Sequence, residues 1–429
     1  MENSEDSMPD ELVVGESEQT TEVELSPLLQ PRTDDIRFVS SASGLDAAVS
    51  ALLAGYGALA VDAERASGFK YSQRAYLIQL HRSGAPIVLV DPIAVVEDDP
   101  QAFARAQLAL QDLTWIIHAA TQDIPCLAEL GLRPTKLFDT ELAGRLAGFE
   151  RVGLGAMVAK SLGFQLAKEH SAVDWSTRPL DKSWLNYASL DVDVLPDLMS
   201  ALQLELESQG KLAWAEQEFD SLTRFVPKAA KEERWRGLSG LHAFKQPRDL
   251  AIAREMWLAR EGLAQKLDVS PGRLIPDASI IEVVNSKPRS KAELSANKKF
   301  FGRASRSYID LWWEAASRGA ATSDLPLLKL PSTGIPNHRI WANKFPEADA
   351  RLTAGRKVLA ELVQEHNIPA ENILSPDSLR QLCWTDTAKS EEQTREFLES
   401  LGARPWQTQL VSRVLAEALS PLWHSPSQE

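Results

Sequence analysis

Every short apolar run that reads as a strand lies in the first half of this chain, and beyond about Pro196 the apolar residues recur only at helical spacing. Ala58 to Asp62 (ALAVD), Tyr76 to Leu80 (YLIQL), Ile87 to Asp91 (IVLVD) and Trp115 to His118 (WIIH) are apolar runs of strand length, bounded by polar turns. The pattern turns strand-like from Ile36. Helical stretches read at Gln101 to Leu110, Ile124 to Leu130 and Thr140 to Leu146. The order β-β-β-α-β-α predicts a mixed α/β sheet with flanking helices, followed by an all-α half.

The helical half carries an internal repeat. Leu263 to Val284 (LAQKLDVSPGRLIPDASIIEVV) aligns without gaps to Leu362 to Cys383 (LVQEHNIPAENILSPDSLRQLC) at an offset of 99 residues. Leu263/Leu362, Gln265/Gln364 and Ser279/Ser378 are identical. Val269/Ile368, Leu274/Ile373, Ile275/Leu374, Ile280/Leu379 and Val283/Leu382 keep apolar character. Two related helical domains are expected, joined through the Pro- and Ser-rich stretch Ser323 to Asn337. The expected units are an acidic disordered tail at 1–33, an α/β domain at 34–222, helical domains at 223–321 and 346–423, and a linker at 322–345.

Charge is unevenly placed. The net charge is −14. Residues 1–35 hold 11 acids and one base, whereas residues 224–318 hold 19 Lys and Arg against 11 Asp and Glu, a net of +8. A basic block inside an acidic protein is a local phosphate attractor or a solvated face. No apolar run is long enough to span a bilayer, and the opening MENSEDSMPDELVV has acids where a signal peptide carries positive charge. A cytoplasmic protein without a membrane partner is expected. Cys126 and Cys383 are too few and too far apart for a disulfide framework or a zinc cluster, and both read as buried thiols.

Chemistry concentrates in three acidic pieces. Asp62 and Glu64, two apart on a strand, project to one face, where two carboxylates repel unless a cation or a shared proton neutralises them. A surface strand carries such a pair by chance as well. Asp123, in HAATQDIPCLAEL, is a ligand candidate or a helix N-cap. Tyr187 and Asp191, in LNYASLDVDVL, share a helical face at a spacing of four; a packed tyrosine is the alternative. Asp139 reads as an N-cap before Thr140 in preference to a fifth acid. Gln79 and His118, on strands that enter the acidic site, either touch a bound substrate or pack, and Trp175 and Arg178 either meet that substrate or fix the loop before the Tyr187 helix.

In this order the pieces resemble the DEDD exonuclease superfamily in its tyrosine-bearing subgroup: a D-x-E strand, a central Asp and a Y-x-x-x-D helix. Within it the chain resembles the ribonuclease D family, through VDAERASGFKYSQRAYLIQL, HAATQDI, and DWSTRPL followed by YASLDV, and its helical repeats resemble HRDC domains. The resemblance spans roughly residues 36–420. It implies an RNase H-like exonuclease domain followed by two all-α HRDC-like domains, and a 3′→5′ exoribonuclease with two divalent ions, Mg²⁺ or Mn²⁺. On that resemblance Asp62 bridges both ions, Glu64 and Asp191 complete one, Asp123 completes the other, and Tyr187 positions the attacking water. Oxygen ligands without His/Cys spacing agree with hard cations. The implied partner is RNA with a free single-stranded 3′ end, a tRNA precursor trimmed to nucleoside 5′-monophosphates. A DNA-proofreading exonuclease and a noncatalytic RNA-binding scaffold are the alternatives. A helicase motor is excluded, because Leu154 and Ala159 occupy the two glycine positions of the only stretch that approaches a Walker A loop.

Overall fold

The computed structural model describes residues 25–167, 173–229, 231–300, 302–330, 334–385 and 389–423. Its strands are β1 (Ser26–Leu28), β2 (Ile36–Val39), β3 (Tyr56–Arg65), β4 (Ala75–Ser83), β5 (Ile87–Val90), β6 (Thr114–Ile117), β7 (Lys136–Asp139) and β8 (Phe164–Leu166). Six of them form one sheet in the order β2-β5-β4-β3-β6-β7. β4 runs antiparallel to both β3 and β5, and the pairs β2/β5, β3/β6 and β6/β7 are parallel. No strand occurs after Leu166 among the described residues, and no helix is long and apolar enough to cross a membrane.

Alternation along β3 sets the two faces of the sheet. Leu59, Val61 and Ala63 are buried with residues of the helices Ala42–Leu53 and Ala102–Leu110. Ala60 faces the other way with Leu77, Leu195 and Leu198. Asp62 and Glu64 continue that second row toward the strand's end.

Several sequence expectations need correction. Residues 26–32 are part of the fold, not of a disordered tail. β1 pairs in parallel with β8, Asn186 Nδ2 donates to Leu29 O at 2.8 Å, and Arg32 donates through Nε to Asp193 at 2.9 Å. Residues 1–24 lie outside the described residues. Asp91 is not the end of a strand; its carboxylate caps the helix Pro92–Asp98 through the amides of Ile93 and Ala94. The stretch 322–345 is not linker throughout, because Trp341 is fully buried and lies 5.3 Å from the Trp384 ring.

The repeat is explicit in three dimensions. Helices Pro247–Leu267 and Pro346–His366 each span 21 residues, start 99 apart, and end at left-handed residues, Asp268 (φ 47°) and Asn367 (φ 51°). Both continue into a one-turn helix, Pro271–Leu274 or Ala370–Ile373, and then a third helix. Their cores differ. The first repeat has its own core around Trp235, Met256 and Trp312, whereas the second shares a core with the α/β domain. There Trp214 stacks on Trp406 at 5.0 Å, and Glu218 accepts from Trp406 Nε1 at 2.9 Å and pairs with Arg404.

In the first repeat, helix Pro247–Leu267 meets Ile309–Ala321 at Gly319, where an added Cβ would stand 2.5 Å from Ile252 Cα and 2.8 Å from Ala251 O. Both obstacles are backbone, so the helices must separate. Gly319→Ala is expected to destabilise the first repeat by about 1–3 kcal/mol despite alanine's better helix propensity. Denaturant unfolding monitored at its tryptophans measures this; unchanged or higher stability contradicts the packing.

Candidate active site

The sequence brings the acids together by three local devices. β3 delivers Asp62 and Glu64 on one face. The helix Lys182–Asp193, capped by Asp181 at Ser183 N, presents Tyr187 and Asp191 one turn apart. Asp123 follows β6 through a turn in which Ala119 adopts φ 58°. Asp139 holds that turn: its carboxylate accepts from Ala120 N at 2.8 Å and Ala119 N at 3.3 Å, while capping the next helix at Leu142 N at 3.0 Å. The expected N-cap role is therefore present, together with a brace for the Asp123 turn. Asp123 makes no side-chain capping bond of its own, so its carboxylate remains for the cleft.

One carboxylate oxygen from each of Asp62, Glu64 and Asp191 lies within 4.8 Å of the others. Asp62 also hydrogen-bonds Asp123, and Asp191 hydrogen-bonds Tyr187. All line one cleft of about 1080 Å³. Burial, then mutual repulsion, pushes Glu64 up from its ordinary 4.5 to about 9. Burial first, and then the Asp62 charge, raises Asp123 and Asp191 well above the carboxylate range. Asp62 is raised by burial as well, against the pull of the Ala63 amide, Asp123 and Arg65. Four carboxyl groups gathered at high energetic cost in their charged form, with the Arg65 guanidinium 3.9 Å from Asp123, fit a hard divalent cation.

Arg65 is the site residue that alternation alone misses. A register shift between Glu64 and Arg65 interrupts the β3/β4 pairing, and the Arg65 guanidinium reaches the cleft 3.9 Å from Asp123. Arg151, Gln122 and Gln165 also line the cleft without any signal in the sequence. His118 lines it too, with Nδ1 2.9 Å from Thr140 Oγ1, and burial lowers its pKa to about 4. Gln79 stands opposite Asp62 on β4 but is fully buried and outside the cleft lining. Trp175 is buried against Trp184, and Arg178 grips Asp91 at 2.6 Å, Tyr76 O at 2.7 Å and Trp175 O at 2.8 Å. Both fix the approach to the Tyr187 helix. Cys126 and Cys383 are buried, and burial pushes each thiol up to about 12.

The raised carboxylates set a pH dependence. Folded, cation-free protein holds protons on Glu64 up to about 9, whereas the unfolded chain releases them near 4.5. The native state binds more protons across that window, so stability in chelator falls as pH rises through it. A divalent ion held by these carboxylates would replace those protons, and its stabilising effect would grow with pH. Melting temperatures between pH 5 and 9, with and without Mn²⁺, test this. A metal increment independent of pH contradicts the assignment.

Comparison with known proteins gives the family. Residues 36–207 match the 3'-5' exonuclease family, 249–315 the HRDC domain, and 334–419 the 3' to 5' exonuclease C-terminal domain. The second repeat thus falls in a differently described family from the first. A ribonuclease D of Bartonella henselae is 30% identical over 308 residues, 70% of this chain and 71% of that protein. One of Nitrobacter hamburgensis is 27% identical over 80% of this chain and 87% of its own. A crystal structure of a protein from Bifidobacterium adolescentis superposes with a TM-score of 0.81 at 34% identity, covering 94% of this chain and 100% of that one. The fold of Escherichia coli RNase D also matches, with a TM-score of 0.62 at 23% identity over 90% and 97% of the two chains. The chain belongs to the ribonuclease D family.

Proposed function

We propose that the cleft removes nucleotides from RNA 3′ ends by a two-metal mechanism, with Asp62, Glu64, Asp123 and Asp191 holding two Mg²⁺ or Mn²⁺ ions. The proposed substrate is the single-stranded 3′ tail of a tRNA precursor. The observation that carries this reading is that Asp62 belongs to two groupings, hydrogen-bonded to Asp123 and gathered with Glu64 and Asp191. Such a carboxylate divides one site into two adjoining ligand sets. When bound, the paired ions supply an activated water and offset charge on the scissile phosphate and the leaving 3′ oxygen.

The chain's own groups do the remaining work. Burial, then the charges of Asp191, Glu64 and Asp62, pushes the Tyr187 phenol upward in pKa. Its Oη keeps its proton, bonds Asp191, and orients water through its lone pairs. Low basicity keeps His118 uncharged at neutral pH, so it walls the cleft without competing for a cation. Arg65 places positive charge beside the path of the phosphate. The proposed units are the catalytic domain to residue 222, a first helical domain at 223–321 and a second helical domain ending near 423.

Asp62→Asn is expected to abolish turnover, and Asp191→Asn to lose turnover together with metal affinity. Tyr187→Phe leaves every carboxylate in place, so metal and RNA affinity should stay near wild type while kcat falls by roughly 10²-fold. Single-turnover cleavage of 3′-extended tRNA, alongside Mn²⁺ titration, measures all three. Wild-type turnover in Tyr187→Phe would reduce the tyrosine to packing, and activity in excess chelator would remove the metal assignment.

The basic block supports a second role, RNA attraction. Some of its charge is spent internally, as in Arg234–Glu261, Arg260–Asp277 and Lys287–Asp249, but Lys245, Lys266 and Lys298 are exposed. Deleting the helical half is a poor test, because the second repeat shares the catalytic core. Lys245, Lys266 and Lys298 together changed to Gln should instead weaken binding and reduce the slope of log K against log salt by roughly 2. An unchanged slope measured by salt titration would place the RNA path elsewhere.

A further inference from the structure

We infer that the left-handed corners of the two helical repeats are clamps that position two loops at the rim of the catalytic cleft, with Asp268 as the positioning residue of the first. The duplicated element, on this view, was duplicated for its grip on the catalytic domain. The activity part of the test rests on the exonuclease reading; the structural part does not.

The first clamp closes on the loop that follows Glu64 and Arg65. Asp268 caps its helix in the left-handed region and turns its carboxylate onto that loop. Oδ1 accepts from Ser72 N at 2.8 Å and Oδ2 from Tyr76 Oη at 3.3 Å, with Arg74 at 3.7 Å and Lys70 at 4.0 Å. The next residues continue the grip: Ser270 N donates to Phe69 O at 2.9 Å, and Arg273 Nε donates to Gly68 O at 2.7 Å with its guanidinium 4.0 Å over the Phe69 ring. Ser67, one residue from Gly68, lines the cleft. Only two residues therefore separate the metal-ligand candidate Glu64 from Ser67, where the gripped rim begins.

The second clamp uses the equivalent position, 99 residues on. Asn367 Nδ2 approaches Gly148 O at 3.4 Å, and an added Cβ on Gly148 would lie 2.1 Å from that nitrogen, so the corner sits directly on the loop. Lys211 Nζ ties the preceding carbonyl, His366 O, to Leu146 O at 2.6 and 2.9 Å, and Glu371 stands 3.8 Å from Arg145. Arg151 and Val152, just beyond Gly148, line the cleft. The same corner of each repeat thus grips a loop whose neighbours wall the site. The side chains differ, an anion gripping amide, hydroxyl and cations in one and an amide set on Gly148 O beside a carbonyl held by the buried Lys211 in the other, while the backbone position is shared.

A clamp differs from an RNA platform in what it does to the shortest substrates. A trinucleotide held in the cleft feels rim geometry, whereas a longer RNA also reaches basic surface outside the cleft. Asp268→Gly removes the carboxylate and suits the left-handed backbone, so the helical domain itself keeps its fold. Asp268→Asn keeps both the conformation and an acceptor for Ser72 N.

The experiment combines single-turnover hydrolysis of a 3′-end trinucleotide with hydrogen exchange of the full chain. Asp268→Gly should slow trinucleotide cleavage by roughly tenfold or more, as misplaced groups do. The amides of Phe69 and Lys70, which donate to Ala66 O, should exchange faster, and Asp268→Asn should recover most of both. Lys211→Met should instead accelerate exchange at Phe149, which donates to Gly144 O, and leave Phe69 unchanged. Trinucleotide cleavage within twofold of wild type in Asp268→Gly, with only long RNA affected, would overturn the clamp in favour of a platform. Unchanged exchange at Phe69 and Lys70 would overturn it as well. A wild-type chain that cleaves no RNA would overturn the functional reading alone, since the exchange result still decides the clamp.

Discussion

Four carboxyl groups held in one cleft repel each other and lose water, and most of the catalytic domain is organised around keeping them there. β3 contributes two acids by alternation, the Tyr187 helix one by its four-residue spacing, and the turn after β6 the last. None of these positions is favourable for an ionised acid in isolation. Burial raises Glu64 to about 9 and raises its three partners too, so the cleft stores a demand for positive charge. Arg65 meets that demand only in part. A site built this way selects its occupant by charge and hardness before any substrate arrives.

The supports are correspondingly rigid and mostly local. Asp139 spends its carboxylate on three backbone amides, fixing the turn that carries Asp123 and the helix after it. Arg178 ties Asp91, Tyr76 O and Trp175 O into one knot below the Tyr187 helix. At the other end of that helix Arg32 reaches Asp193 through both its backbone amide at 3.1 Å and Nε at 2.9 Å. An anionic residue at a helix C-terminus is disfavoured by the helix dipole, and the arginine offsets it. The acids thus sit on elements whose ends are pinned by charge-assisted bonds.

Much of this was legible in the sequence, and what was not has physical reasons. Strand and helix periods expose Asp62 with Glu64 and Tyr187 with Asp191, because period 2 and a spacing of four put the members of each pair on one face. Asp123 carries no period of its own and becomes legible only in company with the other motifs. β1 and β8, three residues each, are too short to show alternation, so residues 26–32 read as tail. Arg65 was hidden by a register shift that no residue pattern announces. The offset-99 repeat was visible in its apolar positions, but its grip on the cleft rims joins Asp268 to Ser72 across 196 residues, a contact only the fold creates.

The four carboxylates are proposed to hold divalent ions in adjoining positions that share Asp62. Anomalous diffraction from crystals equilibrated with Mn²⁺ and a 3′-terminal RNA fragment tests it most directly. Two anomalous peaks are expected, one among Asp62, Glu64 and Asp191 and the other between Asp62 and Asp123, with the RNA 3′ end beside them. Manganese absent from the cleft, or bound away from Asp62, would contradict it.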